Sequence, residues 1–305
     1  MLITAVIPTK NRPHDLARAV ASVRDQQRLP DELLIVDQSP DEASRAAVEA
    51  ALDGSALRAR MNYVLDSSIA GLVPAKAEAA RRASGDVVCF LEDDVVLEPD
   101  YLLQVEQGFL ETPGMLGCCG VVSNLPPLPP GYVRLFHFFH RGIFHDTRVG
   151  VHGAARDTLP PLIPSTCLSG GLSAYRREVF VAVPFDIANE LFLIEDIDFS
   201  TRAAARFGSR FFINSRARLE HRPLSPLNRT VLGLRQRRKL REFLVFYKKR
   251  RDERHAGAAL LLLLAGLLLE SAYDALRAAH YAPVLGYFLG LWDGMRWKLA
   301  EPTVT

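Results

Sequence analysis

The sequence predicts an α/β fold in which a mostly parallel sheet is flanked by helices and followed by a helical appendage at the C-terminus. Short apolar runs alternate with helical patterns over residues 1–100, three of these runs end in carboxylates, and the composition changes sharply after Pro226. Strands that are separated by helices of roughly ten to fifteen residues form βαβ units, and the resulting sheet is parallel and covered on both faces.

The elements follow in order along the N-terminal third of the chain. Short apolar runs predict strands at residues 2–7, 33–36, 63–65 and 87–91. Apolar residues at helical spacing predict helices at about residues 13–26, 41–51 and 74–83. Pro99 and Asp100 then begin a further helix, because proline is favoured in the first helical turn.

Carboxylates follow the second, third and fourth predicted strands. They are Asp37, Asp66 and the run Glu92, Asp93 and Asp94. Parallel strands end at one edge of a sheet, and open α/β sheets bind ligands there. Three adjacent carboxylates repel one another and are costly to hold together without a cation. The sequence therefore indicates a metal and diphosphate site, while a solvated acidic turn or a helix cap stays open as the alternative.

Composition limits the class of protein. A chain of 305 residues has room for one large α/β domain and an appendage, and its net charge of +2 gives no indication of nucleic-acid binding. The four cysteines show no zinc-type spacing, so they are predicted to be reduced, buried thiols of a cytosolic protein. Because Met1 leads directly into a strand pattern, we expect no signal peptide.

Five motifs in order resemble those of family 2 glycosyltransferases with the GT-A fold. They are VIPTKNR (6–12), VDQSPD (36–41), GLVPAKAEAARRASGDVVCFLEDDV (71–95), SGGLSAYRREVF (169–180) and FLIEDIDFSTRAAARFG (192–208). Members of the family usually have VIPTYNR, VDDGSxD, NxGxxxARNxG and FLDDDD. The resemblance covers roughly residues 1–225, which we expect to form the catalytic domain, with residues 226–305 as a separate C-terminal region.

The resemblance implies where a nucleotide-diphosphate sugar would bind. In the family the loop after the first strand contacts the nucleotide, which corresponds to Pro8, Thr9 and Arg12. The family aspartate after the second strand accepts a hydrogen bond from the base, and Asp37 holds that position. A carboxylate suits uracil, thymine or guanine, so the base stays undecided. Asp66 replaces a frequent asparagine and is predicted to contact the base or ribose, or to cap its own loop.

The resemblance also implies a metal ion. Glu92, Asp93 and Asp94 stand at the family's DxD motif, so Asp94 is expected to bind Mn²⁺ or Mg²⁺, with Glu92 as a further ligand and Asp93 facing the ribose. Such a metal bridges the diphosphate and neutralises the leaving group. Many GT-A enzymes bring a C-terminal histidine to the same place. His221, which follows a predicted strand pair at residues 210–213 and 217–220, corresponds to it. A structural histidine is the alternative.

Glu195 and Asp196 lie at the start of a predicted helix, where the carboxylate anion that a general base requires is stabilised. In the family this ED pair supplies the base that deprotonates the acceptor hydroxyl, so Asp196 is the predicted catalytic base, while Glu195 or Asp198 also fits a helix cap. Arg202, one turn beyond Asp198, is predicted to hold this segment in place by an ion pair. Gly170 and Gly171 are predicted to let the backbone approach the sugar closely.

Residues 123–166 lack a regular pattern. The proline-rich NLPPLPPGY and the aromatic FHFFHRGIFH predict a loop that binds the acceptor or faces a membrane. Metal binding by His137, His140 and His145 is disfavoured, because no acidic ligand accompanies them.

The C-terminal region begins with a basic stretch, since residues 235–255 hold ten Lys or Arg against three acids. Fourteen apolar or small residues follow at 256–269, which is short of the ~20 that span a bilayer. This pattern favours a peripheral anchor on the membrane surface, while helices packed on the catalytic domain or forming a homodimer remain the alternative. The interleaved apolar residues belong to an amphipathic helix and argue against nucleic acid as a partner.

The sequence thus predicts a metal-dependent glycosyltransferase at the cytoplasmic face of the cell membrane, and the resemblance to family 2 implies that the transfer is inverting. Its expected acceptor is a glycan, such as a lipid-linked intermediate in cell-surface polysaccharide assembly. Two alternatives stay open. A nucleotidyltransferase fits less well, because VIPTKNRPHD has no glycine for a triphosphate loop. A membrane-bound scaffold that has lost its chemistry fits poorly with the joint presence of Asp37, Asp94 and Asp196.

Overall fold

The protein is described here by a computed structural model that covers residues 1–152, 159–222 and 232–300. The strands are β1 (Ile3–Thr9), β2 (Glu32–Asp37), β3 (Met61–Leu65), β4 (Val87–Leu91), β5 (Val95–Leu97), β6 (Gly117–Val122), β7 (Leu162–Pro164), β8 (Leu172–Arg176) and β9 (Phe211–His221). The helices of the N-terminal part are α1 (Pro13–Arg24), α2 (Ala43–Ala51), α3 (Leu72–Arg82), α4 (Tyr101–Glu111), α5 (Pro130–Phe139), α6 (Arg148–His152), α7 (Glu178–Ala182) and α8 (Glu195–Phe207). The C-terminal helices are α9 (Leu232–Lys249), α10 (Ala256–Ala278) and α11 (Ala282–Arg296).

One sheet runs through the molecule in the order β3-β2-β1-β4-β8-β6-β9-β5, and β7 pairs with β9. The predicted parallel arrangement is confirmed for the first four strands, in which β1 lies between β2 and β4 and β2 pairs with β3. The other half is mixed, because β8 runs antiparallel to both β4 and β6, and β9 is parallel to β6 but antiparallel to β5 and β7.

The parallel strands β1, β2 and β4 are buried on both faces apart from the first residue of β2, which explains their largely apolar sequences. All seven residues of β1 are buried. Successive side chains of a strand point to opposite faces, so Ile3, Ala5 and Ile7 join the large core that contains α1 and α4. Val6 faces the other side and joins a smaller core under α3. This double cover leaves the carboxyl ends of the strands as the open edge.

Two sequence predictions about local structure were wrong. The strand pair predicted at residues 210–213 and 217–220 is the single strand β9, whose register shifts opposite β6 between Cys119 and Val121. The aromatic segment predicted as a loop contains the helix α5, which begins at Pro130 because proline fits the first helical turn. Of the three histidines in this segment, His140 stacks on Phe136 with 3.7 Å between ring centroids, while the rings of His137 and His145 lie 5.2 Å apart.

The C-terminal helices pack on the rest of the molecule. Their buried residues form a second core together with Ile143, Phe144, Leu191 and Ile194. The apolar run continues into a 23-residue helix, α10, which is the one described helix long and apolar enough to cross a membrane by length and composition. Packing on the domain, the alternative of the sequence analysis, is therefore observed. The predicted boundary at residues 225 and 226 lies outside the described residues.

Candidate active site

The fold brings together three of the predicted metal ligands. Glu92 and Asp94 lie in the turn between β4 and β5, and β5 pairs antiparallel with the end of β9, so that Val95 lies opposite His221. The His221 Nε2 atom is 3.2 Å from Asp94 Oδ1 and 3.4 Å from Glu92 Oε2. Among the described residues this is the one group of at least three acidic, histidine or cysteine side chains whose donor atoms lie within 4.8 Å of one another.

The residues of this group shift one another's pKa values. Burial by itself would raise the pKa of Asp94, but the hydrogen bond and charge of His221 and the charge of Arg12 together lower it below its ordinary value. The hydrogen bond to Asp94 in turn raises the pKa of His221, and the Glu92 charge adds to this effect. An ionised carboxylate beside an imidazole therefore stands ready at the edge of the sheet.

Asp93 lies on the inner side of the cluster and has protein partners. Thr9 Oγ1 donates to Asp93 Oδ2 at 2.8 Å, and the Arg12 guanidinium spans Asp93 Oδ1 at 2.5 Å and Asp94 Oδ2 at 3.0 Å. Burial raises the pKa of Asp93 to about 6, against the opposing effects of Thr9 and Arg12. Thr9 and Arg12 thus hold the acidic turn in this structure, while Pro8 is a buried residue of β1.

Asp37 and Asp66 end up in different surroundings. Asp37 is fully buried, and its carboxylate accepts hydrogen bonds from the Ser39 amide at 2.9 Å and from the Tyr63 hydroxyl at 2.6 Å. Asp66 accepts from the amide and hydroxyl of Ser68, so the loop-capping alternative is the contact that is present. Both residues lie at the predicted edge of the sheet, because β2 and β3 run parallel.

Gly170 and Gly171 separate the acidic turn from the ED pair. A Cβ atom on Gly171 would lie 2.2 Å from Glu92 Cδ, and one on Gly170 would lie 2.3 Å from Glu195 Oε1. Neither position accepts a side chain without displacing a carboxylate. The glycines therefore allow Glu92 and Glu195 to approach the same short backbone segment from two sides.

Glu195 is paired with a cation that the sequence analysis missed. Lys76 of α3 donates to Glu195 Oε1 and, at 3.0 Å, to the Gly170 carbonyl. The side chains of Lys76 and Glu195 are only 3% and 8% exposed. Burial raises the pKa of Glu195, the Lys76 charge opposes this rise, and the Asp196 charge adds to it. This buried pair fixes the start of α8 against α3.

Asp196 has a separate cation. Arg148 Nη1 donates to Asp196 Oδ2, and the same guanidinium binds Asp146 with Nε at 2.9 Å and Nη2 at 2.7 Å. Two backbone amides also donate to Asp196, that of Gly170 at 3.2 Å and that of Ile197 at 2.8 Å. The Asp196 side chain is 19% exposed, so it remains accessible to a substrate. Its partners fix the orientation of the carboxylate, and a general base must be held within reach of the proton that it removes.

One of the two missed cations was visible in the sequence motif. Lys76 stands where the family pattern NxGxxxARNxG has its arginine, counted from Gly71. Arg148 had no such signal, because it lies in the irregular stretch 123–166 and meets Asp196 across 48 residues of chain. The predicted ion pair between Asp198 and Arg202 is present at 2.8 Å.

The donor atoms at the acidic turn fit a divalent cation. Two carboxylates and an imidazole converge, and hard divalent ions take oxygen ligands and complete their shells with water and phosphate oxygens. Of the three, Asp94 is nine-tenths buried as a side chain while Glu92 is 41% exposed. Asp94 is thus the better ordered ligand, and the open side lies toward Glu92.

Comparison with known proteins identifies the family. The family model "Glycosyl transferase family 2" matches residues 4–183, which is more than half of the chain. The chain belongs to glycosyl transferase family 2. The match covers the acidic turn and the glycine pair but ends before Glu195. No curated protein matches the sequence significantly.

Solved structures share the GT-A fold with this family 2 glycosyltransferase. A mannosyltransferase from Pyrobaculum calidifontis in complex with GDP-Man and Mn²⁺ is 17% identical, with a TM-score of 0.62 over 96% of this chain and 87% of that chain. Residues 1–349 of S. aureus TarS are 15% identical, with a TM-score of 0.54 over 90% and 73% of the two chains. GalNAc-T7 with UDP, GalNAc and Mn²⁺ is 16% identical, with a TM-score of 0.55 over 80% and 50%.

Proposed function

We propose that this glycosyltransferase moves a sugar from a nucleotide-diphosphate donor to a hydroxyl group of a glycan, with inversion and with Asp196 as the base. The observation that carries the proposal is the glycine pair, because Glu92 of the metal-type cluster lies against Gly171 and Glu195 of the ED pair lies against Gly170. A donor diphosphate at the cluster and an acceptor hydroxyl at Asp196 would then meet over Gly170 and Gly171. Two of the similar structures contain nucleotide ligands and Mn²⁺.

The reaction is a displacement at the anomeric carbon. The acceptor oxygen forms a bond to this carbon, its proton passes to the Asp196 carboxylate, and the bond to the diphosphate oxygen breaks. Arg148 and the Ile197 amide hold the Asp196 carboxylate in place before the transfer. Mn²⁺ or Mg²⁺, held by Asp94, Glu92 and His221, would neutralise the charge that develops on the departing nucleoside diphosphate.

Several residues are assigned to the donor. Arg12 bridges Asp93 and Asp94 and is one-third exposed, so it can exchange a carboxylate for a phosphate oxygen. The Asp37 carboxylate is fully buried and accepts a hydrogen bond from Tyr63. Asp37 can therefore bind the nucleobase only if the Tyr63 hydroxyl moves away. Asp66 is only half-buried and is the more accessible of the two carboxylates. We assign Asp93 and Thr9 to holding the turn, with the ribose beside them.

We further propose that the acceptor is lipid-linked and that the protein lies on the cytoplasmic face of an anionic membrane. Helix α10 packs between α5 and α11, and all three helices carry exposed apolar side chains, among them Tyr132, Leu135, Phe138, Leu261, Leu269, Leu276, Phe288 and Trp292. Exposed basic residues flank this surface at Arg251, Arg254, Arg277 and Lys298. Anionic headgroups complement such a rim. Because the other face of α10 is buried, a peripheral position suits it better than a membrane span.

Two finer assignments belong to the same proposal. The division into a catalytic region, 1–225, and a membrane-binding region, 226–305, matches the change in composition. As an alternative to membrane binding, the exposed apolar surface could form the interface of a homodimer. As an alternative to an active enzyme, the whole chain could be an inactive scaffold. Neither has an observation in its favour beyond the exposed helices, whereas the intact acidic turn and ED pair favour an active enzyme.

The experiment measures nucleotide binding through the change in the melting temperature of the protein. A panel of nucleoside diphosphates is added with and without Mn²⁺ to the wild type and to Asp94→Ala. We expect a metal-dependent rise in melting temperature for one base, lost in the variant. An exposed substitution, Asp53→Ala, serves as the control. If no nucleotide shifts the wild type with any metal, the glycosyltransferase proposal fails and the scaffold takes its place.

A further inference from the structure

The ED pair is preceded by a connection without regular structure. Residues 183–194 join α7 to α8 and lead directly into Glu195 and Asp196. This segment includes Glu190, which adopts a left-handed conformation with φ of 50°. A side chain other than glycine or asparagine is uncommon in that region and persists where surrounding contacts hold it. The contacts that hold residues 186–194 come mainly from the C-terminal helices.

Helix α9 caps the end of this connection with a buried carboxylate. Glu242 Oε2 accepts hydrogen bonds from the amides of Phe192 at 3.0 Å, Leu193 at 2.6 Å and Ile194 at 3.3 Å. The Glu242 side chain is fully buried. Ile194 is the N-cap of α8, so the carboxylate binds the amides just before the positive end of the helix dipole. One side chain thus sets the backbone of the three residues before the ED pair.

A second contact lies two helical turns further along the same face of α9. Lys249 Nζ is 2.6 Å from Asp186 Oδ2 and also donates to Asp198, in the first turn of α8. Positions seven residues apart lie on one side of a helix, so Glu242 and Lys249 face α8 together. Their charges suit their partners, since Glu242 meets amide groups and Lys249 meets two carboxylates.

Other C-terminal residues hold the middle of the connection. Arg241 donates to the Glu190 carbonyl at 3.3 Å. The Arg238 guanidinium lies over the Phe192 ring, 5.1 Å from its centroid. After α11, the Ala300 amide donates to Asn189 at 3.1 Å. The segment that carries Glu195 and Asp196 is therefore bound along its length by residues after position 231.

We infer that Glu242 is a positioning residue for Asp196. Helix α9 thus holds the backbone that carries Asp196 and also connects the catalytic domain to the apolar helices. The inference rests on the proposed role of Asp196 as the base. A base must lie within hydrogen-bonding distance of the proton it removes, and a displacement of about 1 Å costs on the order of 100-fold in rate. Without Glu242, three amides in a closed site lose their acceptor, and the turn that delivers Asp196 is no longer defined.

The test compares Glu242→Ala and Glu242→Gln with Glu270→Gln. Glu270 lies in α10 and pairs with Lys239 of α9, so its substitution removes the same charge from the same region without touching residues 186–194. The rate is the Mn²⁺-dependent release of nucleoside diphosphate from the sugar nucleotide that binds best. Donor binding and the midpoint of urea unfolding are measured on each variant.

We expect Glu242→Ala to lower kcat by about 100-fold while KM and donor binding stay within about two-fold. Glu242→Gln keeps an oxygen that accepts amide hydrogen bonds but loses the charge that strengthens them, so it restores only part of the rate and stays about 10-fold below Glu270→Gln in kcat. Glu270→Gln behaves as the wild type. This combination of a lost kcat, an intact donor site and rescue by the conservative variant is not produced by a general loss of stability.

Three results overturn the inference. The first is a folded Glu242→Ala with wild-type kcat. The second is a kcat that falls only in proportion to donor binding and unfolding. If Glu242→Ala does not fold, Glu242→Gln decides, and a Glu242→Gln whose kcat and KM equal those of Glu270→Gln is the third. Failure of the proposed function is separate, because the wild type itself then neither binds a nucleotide with Mn²⁺ nor releases one.

Discussion

Lys76 and Glu195 form an ion pair that is closed to solvent, although 119 residues of chain separate them. The pair fastens α3, which follows the third strand, to the first residue of α8. The Lys76 ammonium group also donates a second hydrogen bond to the Gly170 carbonyl. Removal of either charge leaves the other one buried without a partner.

Lys76→Met is therefore expected to lower the free energy of unfolding by about 3–5 kcal/mol, because a buried carboxylate loses its cation. The double variant Lys76→Met with Glu195→Gln should recover part of the loss. The measurement is urea unfolding at pH 7. The control is Arg81→Met in the same helix, whose pair with Glu78 is exposed to solvent and therefore contributes little to stability. Equal effects of the two methionine variants would contradict the prediction.

Asp196→Asn should lower kcat by roughly 10²–10⁴-fold, because an amide does not accept the acceptor's proton. Donor binding should stay at the wild-type level, since the acidic turn is unchanged. The measurement is release of nucleoside diphosphate in the presence of Mn²⁺, together with a binding isotherm. Asp252→Asn, at a fully exposed position, is the matched substitution. Full activity of Asp196→Asn would remove this residue from the mechanism and leave the fold assignment intact.

Gly171→Ala should weaken metal binding, because its Cβ would lie 2.2 Å from Glu92 Cδ and displace that carboxylate. Overpacking of this kind costs typically about 1–3 kcal/mol of stability as well. Gly131→Ala is the control, since no atom lies within 4 Å of its added Cβ. The Mn²⁺ affinity is measured by titrating Mn²⁺ in the presence of nucleotide and recording the melting temperature. A Gly171→Ala variant with wild-type Mn²⁺ affinity would show that Glu92 is not a ligand.

His140 predicts how stability depends on pH. Burial between α5 and α9 lowers the pKa of His140 to about 4, from an ordinary value of 6.5, and the Lys239 charge acts in the same direction. Between these values the unfolded chain binds a proton that the folded chain does not bind, so the free energy of unfolding falls as the pH decreases from about 6.5 to 4. The contribution is roughly 1–3 kcal/mol.

The measurement for His140 is urea unfolding at several pH values between 7 and 4.5. His140→Gln should flatten the slope in this window, whereas His14→Gln, at an exposed position, should keep it. An unchanged slope in His140→Gln would mean that α5 does not bury this imidazole in solution.

Membrane binding should depend on the exposed apolar residues of α10 and α11. Leu276→Ser and Trp292→Ser together should lower binding to vesicles that contain anionic lipid, because each residue loses apolar area that would enter the interface. Leu276 is 82% exposed, and Val181 of α7 is 85% exposed on the other part of the molecule, so Val181→Ser is the matched control. Sedimentation with vesicles, and sedimentation velocity without them, separates a lipid surface from a homodimer as the occupant.

Much of the site could be predicted from local sequence. Asp37, Asp66 and the acidic turn each follow an apolar strand directly, and strands joined by helices place their ends at one edge. The three cluster residues Glu92, Asp94 and His221 met as expected, because β9 returns beside β5. The α5 helix and the single strand β9 were missed, since an irregular composition conceals a helix whose partner, α10, is far away in the chain.

The partners of the candidate catalytic residues could not be predicted in the same way. Lys76, Arg148 and Glu242 act through long-range contacts. The motif marks the position of Lys76 but does not name its partner Glu195, and no sequence signal relates Arg148 or Glu242 to residues 192–196. Glu242 in particular is a single acid in a basic helix, where the composition suggested a membrane-facing surface. Its burial became apparent only when the helix was placed against α8.

By itself the sequence determined the fold class, the family and the carboxylates at the edge of the sheet, because strand periodicity and βα motifs are local properties of the chain. The tertiary structure decided which cations pair with the carboxylates of the site. It also decided that α9 packs against the segment before α8 and binds its amides through Glu242. Charges pair across space rather than along the chain, so their partners are fixed by how the helices pack on the sheet. The same packing left one face of α10 exposed and buried the other.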